Sequence, residues 1–178
     1  MAGAMLIVLG VLFVALSAIG SVYVLGLRTK SPAVRDAARH FHRAVGNPLQ
    51  MRSAGRLGTH ASVIRHRGRT TARIYETPVW AMPTEDGFVI AIVYGSGSDW
   101  LKNVLASGKA AIVHEGGTYP VGWPEIVPME GARAYFPVTI QRIHRRINVD
   151  RCLRVWRVDV AKTLAAHEKE GGDDEAAR

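Results

Sequence analysis

The stretch Ala61-Ser62-Val63-Ile64-Arg65-His66-Arg67-Gly68-Arg69-Thr70-Thr71-Ala72-Arg73-Ile74-Tyr75-Glu76-Thr77-Pro78-Val79-Trp80-Ala81-Met82 decides how this chain folds. Two runs rich in β-branched and aromatic residues, Ala61 to His66 and Ile74 to Met82, flank a turn built around one glycine, the pattern of a hairpin. Working outward, Phe88 to Tyr94, Ala110 to Glu115 and Thr118 to Trp123 repeat that texture. Glu85-Asp86-Gly87 and Gly116-Gly117 punctuate them as turns. Short strands at such spacing predict a small, mainly β unit, an antiparallel barrel or sandwich with helices added. Ser98 to Ser107 interrupts the strands with Trp100, Leu101, Val104 and Leu105 at helical spacing. A second helix is expected over Ala132 to Ile147, and a last strand over Leu153 to Val158.

Upstream, residues 28–50 place Val34, Ala38, Phe41 and Val45 three and four apart, which predicts one amphipathic helix ending near Gly46-Asn47-Pro48. Its basic face suits either anionic lipid or plain solvent. Residues 1–27 carry no charged side chain, and Met5 to Leu27 is nearly continuous Leu, Ile, Val, Ala, Phe and Gly. A helix of that length crosses a bilayer core, which takes about 20 apolar residues. Arg28, Lys30, Arg35, Arg39 and Arg43 follow at once, with only Asp36 opposing them. The positive-inside rule then puts the rest of the chain in the cytoplasm. The rival is a cleaved signal peptide with small residues at Ala15-Leu16-Ser17-Ala18. Against it, no basic residue precedes the apolar run, and the run continues well past that point. The expected organisation is therefore a membrane anchor at 1–27, a juxtamembrane helix at 28–50, a barrel domain at 51–164 and a disordered acidic tail at 165–178.

In 178 residues there is room for one ordinary core. The net charge of +8 understates how basic the body is, because Glu168, Glu170, Asp173, Asp174 and Glu175 crowd the tail. Such a body calls for an anionic neighbour, whether a phosphate-bearing cofactor, lipid or nucleic acid. With Cys152 the single cysteine, there is neither an internal disulfide nor a thiolate metal cluster. His40, His42, His60, His66, His114, His144 and His167 include no His-x-x-x-His pair, so no metal site is expected. Gly95-Ser96-Gly97-Ser98 is not a nucleophile elbow, and no Gly-x-Gly-x-x-Gly opens a βαβ unit.

Two loops carry groups suited to anions. Arg65 to Arg73 gathers four arginines besides Arg69's neighbours Thr70 and Thr71, all around Gly68, a set that holds phosphate or carboxylate; an ordinary basic hairpin turn looks the same. In Tyr94-Gly95-Ser96-Gly97-Ser98-Asp99-Trp100 a strand ends and a helix begins, so free N–H groups offer an anion seat. Ordinary capping by Ser98, with Asp99 in the first turn, is the alternative.

Taken in order, Gly68-Arg69-Thr70-Thr71-Ala72-Arg73-Ile74-Tyr75-Glu76-Thr77-Pro78-Val79, Asp86-Gly87-Phe88-Val89, Tyr94-Gly95 and Asp99-Trp100-Leu101-Lys102-Asn103-Val104-Leu105-Ala106-Ser107-Gly108 resemble the deazaflavin-dependent nitroreductase family. The likeness covers about residues 55–128. It implies a split β-barrel with flanking helices that uses coenzyme F420, a phosphate- and polyglutamate-bearing deazaflavin, with flavin mononucleotide (FMN) the less favoured cofactor. By position, Arg69, Thr70 and Thr71 would contact phosphate or tail carboxylates, with Gly68 shaping the loop and Arg67 and Arg73 adding charge. Thr77, Pro78, Val79 and Trp80 would lie beside the ring, and Tyr94, Gly95 and Ser96 would close its other side. Trp100 and Asn103 would hold the helix to the barrel. Tyr75, Tyr119 and Tyr135 are the candidates for orienting or protonating an acceptor. Departures are Ala72 where the family has glycine, Thr70 where it has a basic residue, and Tyr75 where many relatives have arginine. The implied activity is F420H2-dependent reduction of a small-molecule acceptor, a quinone or nitroaromatic compound, beside membrane lipid. The alternatives are a related barrel binding FMN, haem or lipid without turnover, and, less favoured, a nucleic-acid-binding membrane protein. An open barrel edge would favour a homodimer.

Overall fold

The computed structural model describes residues 2–59 and 61–159. The acidic tail expected from residue 165 lies outside the described residues, as do His60 and His167.

Seven antiparallel strands form one sheet: β1 (Ser62–Arg67), β2 (Ile74–Val79), β3 (Ala81–Pro83), β4 (Gly87–Ala91), β5 (Lys109–His114), β6 (Gly117–Pro128) and β7 (Arg151–Arg157). Their order across the sheet is β2-β1-β5-β6-β7-β4-β3. β2 and β3 are therefore the two edges, yet only Trp80 separates them in sequence. A chain cannot reach from one edge of a flat seven-stranded sheet to the other in one residue, since neighbouring strands lie about 4.8 Å apart. The sheet must curl until its edges meet, and the result is a split barrel. The run expected as one strand from Ile74 to Met82 is for this reason two.

Alternation along the strands sends side chains into two cores. Phe88, Ile90 and Ile92 of β4 and its extension join Ile64, Ile112, Leu153 and Val155 inside the barrel. Val89 and Cys152 point the opposite way and pack with Met129, Ala132, Phe136 and Val149. Cys152 is fully buried, and burial pushes its thiol up to about 11. One helix, α4 (Asp99–Ser107), closes the barrel with Leu101 and Val104, and it stops at Gly108, whose φ of 68° makes the left-handed cap.

Three boundaries differ from the sequence reading. β6 runs on past Trp123 to Pro128 through a bulge between Gly122 and Glu125, where Trp123 itself takes a φ of 50°. That bulge lets one strand pair with β5 along its first half and with β7 along its second. The helix expected over Ala132 to Ile147 is broken. α5 (Met129–Ala132) and a 3₁₀ turn (Arg133–Tyr135) precede α6 (Val138–Arg146), because Pro137 forces Phe136 out of helical ψ. The segment 28–50 is likewise not one helix.

α1 (Ala2–Arg28) is followed by a turn in which Lys30 adopts a φ of 59°. α2 (Pro32–Phe41) leads into a π-helical turn (His42–Gly46) and then α3 (Asn47–Gln50). Pro48 explains the widening: in a regular helix its ring would strike the carbonyl four residues back. Within α1, Met5–Arg28 is long and apolar enough to cross a membrane, and its apolar 18-residue window is unburied in this chain. Its last turn is fastened down. A Cβ on Gly26 would lie 2.3 Å from Val34 Cγ2, Lys30 pairs with Asp150 at 2.6 Å, and Asn148 donates to the Arg28 carbonyl at 3.2 Å.

Candidate functional site

Where β2, the Gly68–Arg73 loop, the start of α4, the π turn and the last turn of α1 converge, they enclose a cavity of about 1000 Å³. That is the upper end of the range for small-molecule sites. Its lining combines a polar, largely basic set, Arg43, Arg69, Thr70, Thr71, Asp99 and Asn103, with apolar residues that include Val24, Leu27, Met51, Ile143 and Ile147.

The loop that carries Arg69, Thr70 and Thr71 is closed by Gly68 N–H to the Arg73 carbonyl at 2.8 Å and Ala72 N–H to the Gly68 carbonyl at 2.9 Å. Gly68 has no room for a side chain, since a Cβ would meet Thr71 Oγ1 and the Tyr75 ring at 2.6 Å. Ala72 sits at a φ of 56°, a left-handed conformation that an L-residue adopts at a cost. A glycine would take this conformation without that cost.

Arg69 is held at both its ends. Asn103 Oδ1 accepts its backbone N–H at 3.1 Å and its Nη1 at 2.9 Å, and Nη2 reaches Asp99 at 3.2 Å. Arg43 pairs with the other oxygen of Asp99. Burial raises the Asp99 carboxyl, but the hydrogen bonds and charges of Arg43 and Arg69 outweigh it and hold the group below the usual carboxylate range. Asn103 Nδ2 continues to His66 Nδ1 at 3.2 Å, and His66 Nε2 meets Thr77 Oγ1 at 3.2 Å. Burial lowers the His66 pKa, with Asp99 pulling in the other direction. Tyr75 stacks on His66 with centroids 5.9 Å apart, and its hydroxyl meets Thr71 Oγ1 at 3.0 Å.

On the opposite wall, Tyr94 OH lies 2.6 Å from His42 Nε2, while its carbonyl accepts from Arg39 Nη1 at 2.7 Å. Burial, followed by the Tyr23 hydroxyl, pushes the Tyr94 phenol up, and burial lowers the His42 pKa. Tyr94 thus keeps its proton beside a neutral imidazole.

Of the residues singled out from sequence, Gly68, Arg69, Thr70, Thr71, Tyr75, Thr77, Pro78, Val79, Trp80, Tyr94, Trp100 and Asn103 line this cavity. Arg67, Arg73, Gly95, Ser96, Tyr119 and Tyr135 do not. Arg65 is paired across the hairpin with Glu76 at 2.6 Å. The glycine loop lies against α2: Cβ atoms on Gly95 and Gly97 would meet the guanidinium groups of Arg35 and Arg39 at 2.9 Å. Ser98 makes no side-chain cap, and Asp99 is turned to the two arginines instead. Tyr119 packs against Phe88 at 5.4 Å in the barrel, and Tyr135 is exposed on the 3₁₀ turn. His42, His66, Tyr23 and the α6 residues Ile143 and His144 are wall residues that sequence reasoning did not select. No group of three or more His, Cys, Asp or Glu among the described residues is placed to hold a metal.

No family model and no curated protein matches the chain. Among solved structures it is similar to one described as an F420-H2 dependent reductase (FDR-A). The identity is 8%, the match covers 53% of this chain and 92% of that one, and the TM-score is 0.41. A likeness that distant says nothing of this cavity's chemistry.

Proposed function

We propose that this chain is a deazaflavin-dependent oxidoreductase that passes a hydride from reduced coenzyme F420 to a lipid-soluble quinone, or to a nitroaromatic acceptor, at a membrane surface. The observation that carries the reading is the mixed lining of this cavity. Its arginines and threonines have the donors that a phosphate or glutamate carboxylate needs. Its apolar residues come in part from the last turns of α1, the helix long enough to cross a bilayer. An amphiphilic acceptor entering along α1 would meet the ring site without leaving an apolar path.

The residues fit the cofactor in kind. Arg69, Thr70 and Thr71 would hold its anionic groups, and Thr77, Pro78, Val79 and Trp80 would flank its ring. When bound, the reduced coenzyme supplies the hydride, and the acceptor also takes up a proton. The protein orients and excludes water. Tyr75 is fixed by its stack on His66 and its bond to Thr71, and Tyr94 is fixed by His42, so both present phenol groups at set positions on the wall. The membrane placement and cytoplasmic orientation of the barrel belong to the same proposal. The alternative to this proposal is a related barrel that binds FMN, haem or lipid without deazaflavin turnover, which the Asp99 clamp on Arg43 and Arg69 favours by occupying donors a polyanionic tail would use; pairing of two copies is a separate proposal.

The test is titration of the full-length, detergent-solubilised chain with oxidised F420 and, separately, FMN, followed by quinone- and nitroaromatic-dependent oxidation of F420H2. Micromolar F420 binding that Arg69→Ala abolishes, with quinone turnover, is the expected result. Binding of FMN alone, or F420 binding with turnover of soluble acceptors only, would overturn the cofactor or the acceptor half respectively.

A further inference from the structure

The hydrogen bonds running from the basic loop into the cavity have a direction that can be worked out donor by donor. Asn103 receives two bonds from Arg69, one from a backbone N–H and one from a guanidinium N–H. Both are donors only, so the atom facing them is the amide oxygen and the amide nitrogen faces the other way. That nitrogen lies 3.2 Å from His66 Nδ1 and must donate to it. His66 Nδ1 therefore offers a lone pair, and the proton of the neutral ring sits on Nε2. Nε2 is 3.2 Å from Thr77 Oγ1 and donates to it. The Thr77 oxygen is thus used as an acceptor, and its own O–H has no acceptor among the described residues.

Thr77 is half-buried and lines the cavity; His66 is 4% exposed and wedged between Asn103, Thr77 and the Tyr75 ring. The geometry points to the Thr77 hydroxyl as a hydrogen-bond donor aimed at the bound ligand, with its direction set by Asn103 and His66 as positioning residues. A ring that presents a carbonyl oxygen or an unprotonated nitrogen on that edge is accepted. A ring that presents an N–H there is disfavoured, because it would take the second lone pair of Oγ1 and leave the Thr77 O–H without an acceptor. In the deazaflavin reading, on which the identity of the ring rests, this selects which edge of the isoalloxazine-like system faces β2, and hence which face is open to an acceptor.

The test uses the full-length chain in detergent, with oxidised F420 and FMN as probes, read by affinity and by the absorption spectrum of the bound chromophore. Thr77→Val keeps the shape and the β-branching but removes the donor; Thr77→Ser keeps the donor. Thr77→Val is expected to weaken binding about five- to tenfold and to move the bound spectrum toward that of the free chromophore, with Thr77→Ser close to wild type. His66→Phe retains the ring against Tyr75 without either nitrogen, and is expected to shift the spectrum part of the way at unchanged secondary structure. A wild type that binds F420 while Thr77→Val matches it in affinity and spectrum overturns the inference alone. Binding of FMN only would overturn the deazaflavin reading, and the same Val and Ser pair on FMN would still decide Thr77. Binding of neither overturns both.

Discussion

Asp99 occupies Arg43 and Arg69, two of the three arginines that line the cavity, so an anionic ligand has to compete with it there. Replacing it by Asn keeps the size and one acceptor oxygen while removing the charge. The two ion pairs it makes are partly exposed, with side chains of Arg43, Arg69 and Asp99 at 70%, 38% and 46% accessibility. Pairs of that kind are worth about 0.2–1 kcal/mol each, so releasing two returns roughly 0.4–2 kcal/mol to the ligand. At about 1.4 kcal/mol per factor of ten, Asp99→Asn should tighten F420 binding roughly two- to thirtyfold. The loss of a carboxylate from the first turn of α4 should at the same time cost about 0.3–1 kcal/mol of stability. Fluorescence titration of the full-length chain at low and high ionic strength reads the first effect, and the gain should shrink as salt screens the wild-type pairs. Weaker binding by Asp99→Asn at every salt concentration would refute the reasoning. It would mean that Asp99 orients the two arginines for the ligand rather than standing in its place.

Ala72→Gly relieves a left-handed alanine, about 1–2 kcal/mol, against the extra freedom glycine gives the unfolded chain; a net gain of about 0.5–1 kcal/mol should raise Tm by a few degrees. No rise would show that the loop relaxes away from this conformation. Gly87→Ala should cost about 3 kcal/mol, read as a lower urea midpoint, because its Cβ would lie 2.0 Å from the Val155 carbonyl oxygen and 2.8 Å from Trp156 Cα, backbone atoms that cannot turn aside. Burial lowers the pKa of His42, His66 and His144 from 6.5, with Arg133 adding to the effect at His144. The unfolded chain then binds more protons than the folded one below about 6.5, so stability should be level above that pH and fall as pH drops from it toward the depressed values. Thermal melts between pH 8 and 5 check this, and a melt that rises on acidification would contradict it.

Much of the barrel was legible because strand texture and turn chemistry are local signals. The hairpin around Gly68 and the buried pair Leu101 and Val104 follow from spacing alone. Trp80 was not legible as a break, because nothing in Val79-Trp80-Ala81 departs from strand propensity; the interruption comes from closing the sheet, a property of all seven strands. Trp123-Pro124 looked like an end because a bulge and an end share the same residues. In the site, Arg69 and Asn103 were found through the motif, whereas His66 was passed over as one arm of a basic hairpin. His42 and Tyr23 had weaker signals still. Gly46 and Pro48 after His42 hint at a distorted turn, since a Cβ on Gly46 would lie 2.6 Å from His42 Nδ1, and Tyr23 is a lone phenol in an apolar helix. Both reach the cavity only through contacts more than 50 residues away in sequence, which no window along the chain can reveal.

β4 and β7 each face two ways, with Ile90 and Leu153 in one core and Val89 and Cys152 in the other. Neither core can lose its strands without stripping the other, so the helices packed outside the sheet are not a detachable cap. The molecule should open as a single cooperative unit. A ligand gripped by the cavity wall would then slow hydrogen exchange in β7, far from any atom it touches, as much as in β2 beside it.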